Sequence, residues 1–298
     1  MTFWLGPPGN LQPLPDLARG IKADMELNAA VHTSLSGVRA VDYLGEPKRT
    51  YSASRQYLTR ADVHTLETLA MGLLGPPPYA LIDPYRVNVI APNIATGGDF
   101  RRSTSGYIKF GGALATMSLV GPGSAAASGR YNLSLATPAS GTSGSYGVQA
   151  FDVTSTAAAI ATAIPVLPST PYTFQVKIRS QAGTPQAYRA SIMWLSSTGT
   201  QISNSDGVGS VPTGTYDVRT VQATSPSTAA YAGLQVLNSG TLTATNTIYL
   251  DEWMLSASST VDPWVVGTGT PKVAFMSLSD SYSHPTDHDM DFVLVEVG

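Results

Sequence analysis

The stretch that decides the fold class is residues 171–179, with the sequence P-Y-T-F-Q-V-K-I-R. Apolar side chains stand at every second position after the proline, and polar ones stand between them. Because successive side chains of a strand point to opposite faces, this alternation predicts a strand with one buried and one solvated face. Strands of that kind are typical of antiparallel sheets.

Seven further segments carry short apolar or aromatic runs, separated by clusters of Gly, Ser, Pro and Asn. About eight strands with turns of this kind predict a jelly roll or a related antiparallel β-sandwich. The seven segments are Tyr107–Phe110, Tyr131–Leu135, Gly147–Val153, Tyr188–Leu195, Tyr216–Ala223, Ala230–Leu237 and Thr247–Leu255.

The charge distribution divides the 298 residues into three segments. Residues 1–91 carry 8 basic and 8 acidic side chains, residues 92–261 carry 8 and 6, and residues 262–298 carry 1 and 6. The long middle segment is sparsely charged and rich in Ser, Thr, Gly and Ala. Since cores stop growing near 250 to 300 residues, we expect more than one domain, with boundaries near Pro92 and Asp262.

The first segment contains one amphipathic helix. Thr59 is its predicted N-cap, and Asp62 three residues later completes a variant of the capping box. Strands are predicted at residues 38–43, 50–57 and 79–84 around it. Apolar residues follow helical spacing until residues 75–78, G-P-P-P, end the helix; the residues predicted to form its packing face for assembly are Val63, Leu66, Leu69 and Leu73.

The last segment predicts two short strands, Val273–Leu278 and Phe292–Val297, around a polar loop over residues 279–291. Two strands alone are marginally stable, so they need a sheet to join. The first segment has a small sheet that lacks partners. We therefore predict a discontinuous α+β domain of residues 1–91 and 262–298, with a β-sandwich of residues 92–261 inserted into it. The predicted fold class is mainly β.

Composition and motifs exclude several function classes. The chain has no cysteine, which excludes disulfides and thiol chemistry. A net charge of −3 and the lack of a basic cluster argue against sequence-specific nucleic-acid binding. No apolar run is long enough for membrane insertion, and residues 1–8 lack the pattern of a secretion signal. Asp251 and Glu252 are neighbours on a strand and point to opposite faces, so they do not form a glycosidase pair; we expect no enzymatic activity.

Several short motifs in the first and last segments resemble minor tail and distal-tail-type proteins of long-tailed phages, especially those of actinobacterial hosts. The resemblance implies a tail-tube-like fold that forms a ring around the tail lumen, often a hexamer, with other phage tail proteins as partners. It also implies a virion protein that resides in the host cytoplasm before assembly. The motifs are residues 3–11 (F-W-L-G-P-P-G-N-L), residues 57–59, residues 75–84, residues 267–269, residues 278–282 (L-S-D-S-Y) and residues 294–297.

The middle segment resembles jelly-roll carbohydrate-binding modules. The carriers are residues 171–176, residues 192–195 (I-M-W-L), residues 199–202, residues 214–216 and residues 248–252 (I-Y-L-D-E). The resemblance implies a sugar-binding face, and sugar rings stack on exposed aromatic side chains. Tyr146, Tyr188 and Trp194 are the candidate rings. Trp194 is in phase with apolar neighbours, which favours core packing, whereas both tyrosines are better placed as exposed rings.

A structural calcium ion is a second implication of that resemblance. Related modules hold calcium with a carboxylate on the last strand and oxygens near the start of the domain. Asp251 matches this position, with Asp99 or Glu252 as companions. Calcium takes six to eight oxygen ligands, so three side chains fall short, and the alternative for Asp251 is a hydrogen-bonded strand carboxylate.

The sequence therefore predicts a structural virion protein whose outward sandwich binds host cell-surface polysaccharide. The alternative is a carbohydrate-binding accessory module of a secreted polysaccharide-degrading system.

Overall fold

The computed structural model describes residues 2–14, 21–26, 29–33, 36, 39–43, 48–99, 102–121, 127, 129, 131–181, 186–284 and 287–297. The chain folds as two compact units: Met1–Asp83 with Pro271–Gly298 form the first, and Pro84–Thr270 form the second. The first unit is thus discontinuous in sequence. Its boundaries follow residues 83 and 270, whereas the charge distribution placed them after residues 91 and 261.

The described residues are mainly β. The strands are, in chain order, β1 (Trp4–Gly6), β2 (Gln12–Pro13), β3 (Lys22–Glu26), β4 (Ala29–Thr33), β5 (Arg39–Tyr43), β6 (Lys48–Leu58), β7 (Tyr79–Ile82), β8 (Ile108–Phe110), β9 (Thr116–Val120), β10 (Asn132–Thr137), β11 (Gly147–Gln149), β12 (Ile164–Pro165), β13 (Pro171–Ser180), β14 (Gln186–Leu195), β15 (Gln201–Val211), β16 (Asp217–Thr224), β17 (Tyr231–Asn238), β18 (Asn246–Ser256), β19 (Lys272–His284) and β20 (Asp287–Glu296). The helices are α1 (Arg60–Ala70), α2 (Pro92–Ala95), α3 (Thr156–Thr162) and a 3-10 turn, Gly112–Leu114.

The first unit is built on a seven-stranded antiparallel sheet with the order β2-β1-β7-β19-β20-β6-β3. The C-terminal hairpin β19–β20 lies in its middle, where β19 pairs with β7 and β20 pairs with β6. Strands β4 and β5 form a separate hairpin. Both ends of the chain therefore contribute to one sheet.

Helix α1 covers one face of this sheet. Thr59 and Asp62 form the predicted capping box, in which the Thr59 hydroxyl accepts from the Asp62 N–H and the Asp62 carboxylate accepts from the Thr59 N–H. The helix buries three residues of its predicted packing face inside the unit's own core. The core residues that share this cluster include Val63, Leu66 and Leu69 of α1, Val273 of β19, and Met290, Phe292 and Leu294 of β20.

Leu73 does not belong to this helix face, so that part of the prediction is wrong. The helix ends at Ala70, and its C-cap is Met71. Gly72 follows with a positive φ of 73°, which an L-residue rarely adopts, and its N–H donates to the Leu69 carbonyl. The chain therefore turns away before residue 73, and the Leu73 side chain is 69% exposed.

The predicted polar loop over residues 279–291 is also wrong, because β19 and β20 extend through most of it. Their pairing continues from Val273 opposite Glu296 to His284 opposite Asp287. The outer part of this hairpin carries polar side chains on both faces, so its sequence lacks the apolar alternation by which a strand is identified.

The second unit is a sandwich of a five-stranded sheet, β16-β13-β18-β10-β9, and a six-stranded sheet, β15-β14-β17-β11-β8, whose sixth strand, β12, pairs with β17. All eight segments predicted as sandwich strands contain strands, and the prediction of a mainly β fold with an antiparallel sandwich is confirmed. Apolar side chains of both sheets meet between them. The largest buried ones are Phe174, Tyr188, Trp194 and Trp253.

Strand β15 was not predicted. It is an edge strand, and its Ser, Asn and Gly residues lack an apolar alternation. A Cβ at Gly207 would lie 2.6 Å from the carbonyl oxygen of Thr220, so only glycine lets β16 approach this closely. Such glycines weaken a strand signal while they permit the packing.

No helix in the described ranges is both long enough and apolar enough to cross a membrane.

The capping box gives a stability prediction for the first unit. Thr59→Ala removes the acceptor for the Asp62 N–H and should lower the free energy of unfolding by about 1 kcal/mol. Thr59→Ser keeps a hydroxyl at the N-cap and should lie close to the wild type. Chemical denaturation followed by circular dichroism measures both variants, and equal destabilisation by Ala and Ser would contradict the capping role.

Candidate functional site

A cleft of about 610 Å³ lies on the outer face of the six-stranded sheet. Residues of all five main strands of that sheet line it, together with the segment 151–159 that leads into α3. This face is the one that does not point into the sandwich core. In β14, for example, Ala190 and Ile192 are fully buried in the core, while Arg189 and Met193 line the cleft.

The strand register arranges the cleft face in rows that run across the sheet. The central row is polar and consists of Asp206, Ser191, Gln235 and Gln149, one residue from each of β15, β14, β17 and β11. One flanking row contains Val208, Arg189, Leu237, Gly147 and Phe110. The other contains Asn204, Met193 and Gly233.

The central row holds polar atoms without protein partners. Gln149 Nε2 donates to Gln235 Oε1 at 3.2 Å, which fixes both amides. Gln149 Oε1 and Ser191 Oγ are buried, and neither atom has a hydrogen-bond partner within the described part of the protein. A buried polar atom that loses water without gaining a partner lowers the stability of the fold.

The flanking rows supply apolar contact surface. Phe110 is 41% exposed at one end of the cleft, next to Leu237. On the other side the Phe151 ring packs directly against Gly233, where any Cβ would overlap it. A cleft with a polar floor between apolar and aromatic walls has the composition of a small-molecule or oligomer binding site.

Arg189 is the one charged side chain among the described residues that line the cleft. Its Nη1 lies 3.3 Å from Asp206 Oδ2, on the neighbouring strand. Its Nε is buried and has no hydrogen-bond partner. The guanidinium therefore faces the cleft as half of an ion pair.

The predicted sugar-binding rings lie elsewhere. Tyr188 and Trp194 are buried on the core face of β14, where Trp194 packs on Tyr172 at 5.8 Å and donates from Nε1 to Ser205 Oγ at 3.0 Å. Tyr146 is buried between Gly111 and Gly141, either of which would overlap its ring if it carried a Cβ. The prediction that these tyrosines are exposed rings is wrong, and core packing is the role of Trp194.

The sequence prediction of a sugar-binding face rests on large aromatic rings, and the residues that form the cleft are mostly of other types. The sequence does carry a signal for them, in the residues that alternate with the core residues on the same strands. Gln149 and Gln235 each interrupt an otherwise apolar strand, and Arg189 alternates with core residues. A polar side chain at every second position of a central strand marks the outer face of a sheet.

Asp251 is a fully buried carboxylate held by backbone donors. Its Oδ2 accepts from the Ala127 N–H and its Oδ1 from the Glu252 N–H, both at 2.8 Å. Its charge adds to the effect of burial, which raises the pKa of the Tyr107 hydroxyl well above the usual 10. These contacts agree with the alternative prediction for Asp251, a hydrogen-bonded strand carboxylate.

Glu252 is not a companion ligand, and that part of the calcium prediction is wrong. Both of its carboxylate oxygens contact Lys177 Nζ, at 2.8 and 2.7 Å. A register shift between β13 and β18 and a positive φ of 50° at Glu252 turn the side chain toward this partner. Asp99 lies against Gly129. Within the described part of the chain, no group of three or more His, Cys, Asp or Glu side chains could hold a metal ion.

A second cavity of about 730 Å³ lies in the first unit, beside α1. It is lined by Arg60, His64 and Glu67 of the helix and by Asp280 and His288 of the hairpin. His288 Nδ1 lies 3.1 Å from Asp280 Oδ2, so these two side chains are already paired with each other. The cavity has mixed charge, and the cleft of the second unit is the better candidate site.

No protein-family model and no curated protein matches this sequence. Several solved structures are similar to about 60% of the chain. One is the Clostridium thermocellum xylanase 10B fragment with a family 22 carbohydrate-binding module, in complex with xylohexaose (13% identity, TM-score 0.41). Another is the enzymatically active domain of tailspike protein 4 of bacteriophage CBA120 (14% identity, TM-score 0.43).

A third is a family 22 xylan-binding domain from Paenibacillus barcinonensis (13% identity, TM-score 0.42), which is covered completely. The chain covers 30% of the xylanase fragment and 22% of the tailspike.

The contact between Phe151 and Gly233 can be tested by adding one methyl group. Gly233→Ala should push the ring out of its place and destabilise the sandwich by about 1–3 kcal/mol, as overpacking does. Gly240→Ala is the matched control, because a Cβ there meets nothing within 4 Å. Thermal unfolding measures both, and equal stability of the two variants would contradict the close contact.

Proposed function

We propose that the second unit binds carbohydrate in the cleft of its six-stranded sheet, without catalysis. The observation that carries this proposal is the set of polar side chains that line the cleft, with Gln149 and Gln235 in the central row and Asn204 in a flanking row. Sugar hydroxyls donate and accept hydrogen bonds, so they can pair with the carboxamide groups of these side chains.

The flanking rows support the same ligand class. A pyranose ring has apolar C–H faces, which pack against aromatic and aliphatic side chains such as Phe110 and Met193. The described lining residues include no carboxylate and no imidazole. Glycoside hydrolysis uses a pair of carboxylates, so this lining favours binding without hydrolysis.

We also propose that the first unit assembles with copies of itself, as a structural component of a phage tail. The supporting observation is β3, which forms one edge of the seven-stranded sheet and is exposed along all five residues. An edge strand offers backbone groups to which a further strand can add. Repeated copies would also present many clefts, so weak sugar contacts would sum to useful avidity.

The binding proposal is tested by a glycan array of neutral and acidic oligosaccharides, probed with the full chain. Gln149→Ala and Gln235→Ala should each lower the affinity for a bound glycan about tenfold, because each removes a hydrogen bond and unpairs the other amide. Gln222→Ala is the control, since this glutamine lies on β16, in the other sheet. No bound glycan, or equal affinity of the three variants at unchanged melting temperature, would contradict the proposal.

The assembly proposal is tested by sedimentation velocity over a range of concentrations and by negative-stain electron microscopy. The wild type should associate, and Met25→Lys should weaken association, because it adds a charge to the exposed edge strand. Met71→Lys is the matched control: Met71 is 64% exposed and Met25 is 51% exposed, but Met71 lies at the end of α1. A chain that stays monomeric at every concentration would overturn the proposal. A discrete ring would favour the tail component over an accessory module of a polysaccharide-degrading system.

A further inference from the structure

The charge of the cleft is set by one pair of residues. Arg189 places a positive charge among the residues that line the cleft. Asp206, on the edge strand β15, places a negative charge beside it. In the register, Asp206 lies directly opposite Ser191, and Arg189 lies diagonally across from it. The Asp206 carboxylate therefore lies at the end of the polar row and contacts the guanidinium of Arg189 in the neighbouring row.

Arg189 also lies beside the Gly144 backbone, since a Cβ at Gly144 would lie 3.5 Å from Arg189 Nη2. Its Nε is buried with no partner. Removal of the Asp206 charge would therefore leave the guanidinium at the cleft without its ion-pair partner.

A positioned guanidinium without a carboxylate partner binds anions strongly. Its planar fork of N–H groups matches a carboxylate or phosphate, and hydrogen bonds to charged groups are about twice as strong as neutral ones. In the wild type, an acidic sugar near Arg189 would also meet the negative charge of Asp206. The pair thus cancels the attraction that Arg189 alone would exert.

We infer that Asp206 determines the charge specificity of the cleft: by neutralising Arg189, it makes the cleft select uncharged glycans over glycans that carry carboxylate or phosphate groups. This inference rests on the proposed carbohydrate-binding function. It assigns Asp206 a role in specificity, through Arg189.

The experiment uses the full chain on the array of neutral and acidic oligosaccharides. Asp206→Asn keeps the size of the side chain and removes its charge. It should raise affinity for acidic glycans about tenfold, because the freed guanidinium gains charge-assisted hydrogen bonds. The gained binding should weaken with added salt, since it depends on exposed charges. The double variant Asp206→Asn/Arg189→Gln should lose the gain.

Asp217→Asn is the matched control. Asp217 pairs with Arg219 Nη2 at 3.0 Å on β16, so this variant also breaks an Asp–Arg pair of the sandwich, outside the cleft. It should leave the ratio of acidic to neutral binding unchanged.

Each result decides the inference. It is overturned if the wild type binds acidic glycans as well as neutral ones, or if Asp206→Asn leaves the ratio unchanged while neutral glycans still bind. In both cases the proposed function survives. A wild-type chain that binds no glycan overturns the proposed function and this inference together.

Discussion

The two faces of strand β14 have different surroundings, because successive side chains of a strand point to opposite faces. Tyr188, Ala190, Ile192 and Trp194 fill the core between the sheets, and Arg189 and Met193 line the cleft on the opposite face. A slip of one residue in the pairing with β17 would send Trp194 outward and Arg189 into an apolar core. The free energy of burying those rings therefore fixes the register, and the register brings Ser191, Gln235 and Gln149 into one row.

Glycines then decide how closely the side chains and strands can approach. Gly233 leaves room for the Phe151 ring on the cleft face, Gly111 and Gly141 leave room for Tyr146, and Gly207 lets β16 approach β15. At each of these glycines, a ring or a backbone segment from elsewhere in the chain fills the space that a side chain would occupy. The interior therefore stays densely packed, although glycine contributes no apolar side chain. This packing forms the wall of the cleft and brings the edge strands β15 and β16 together.

How far the sequence predicts this structure depends on whether the signal is local. The alternation in β13 and the capping box at Thr59 are local, and both features are present as predicted. The strand β15 carries no such signal, because its structure depends on pairing with β14 and on the approach of β16. Leu73 fits the helical spacing, but the turn at Gly72 ends the helix first.

The candidate site was harder to predict than the fold for the same reason. The sequence predicts exposed rings at Tyr146 and Tyr188, whereas Tyr146 owes its burial to two glycines distant in sequence from each other. The polar row exists only once four strands are in register, and no single strand reveals it. The pairing of Glu252 with Lys177 likewise depends on the register shift between β13 and β18.

Hydrogen bonds join the chain segments at the boundaries of both units. Within the first unit, the Leu81 N–H donates to the Pro271 carbonyl, directly at the point where the chain leaves and returns. Within the second unit, Arg86 donates to the Gly269 carbonyl at 2.7 Å, and Asn88 bridges the carbonyls of Trp253 and Val265. Within each unit, hydrogen bonds therefore join the outgoing and the returning segment of the chain. The sheet of the first unit and the cleft of the second are each stabilised by contacts within their own unit.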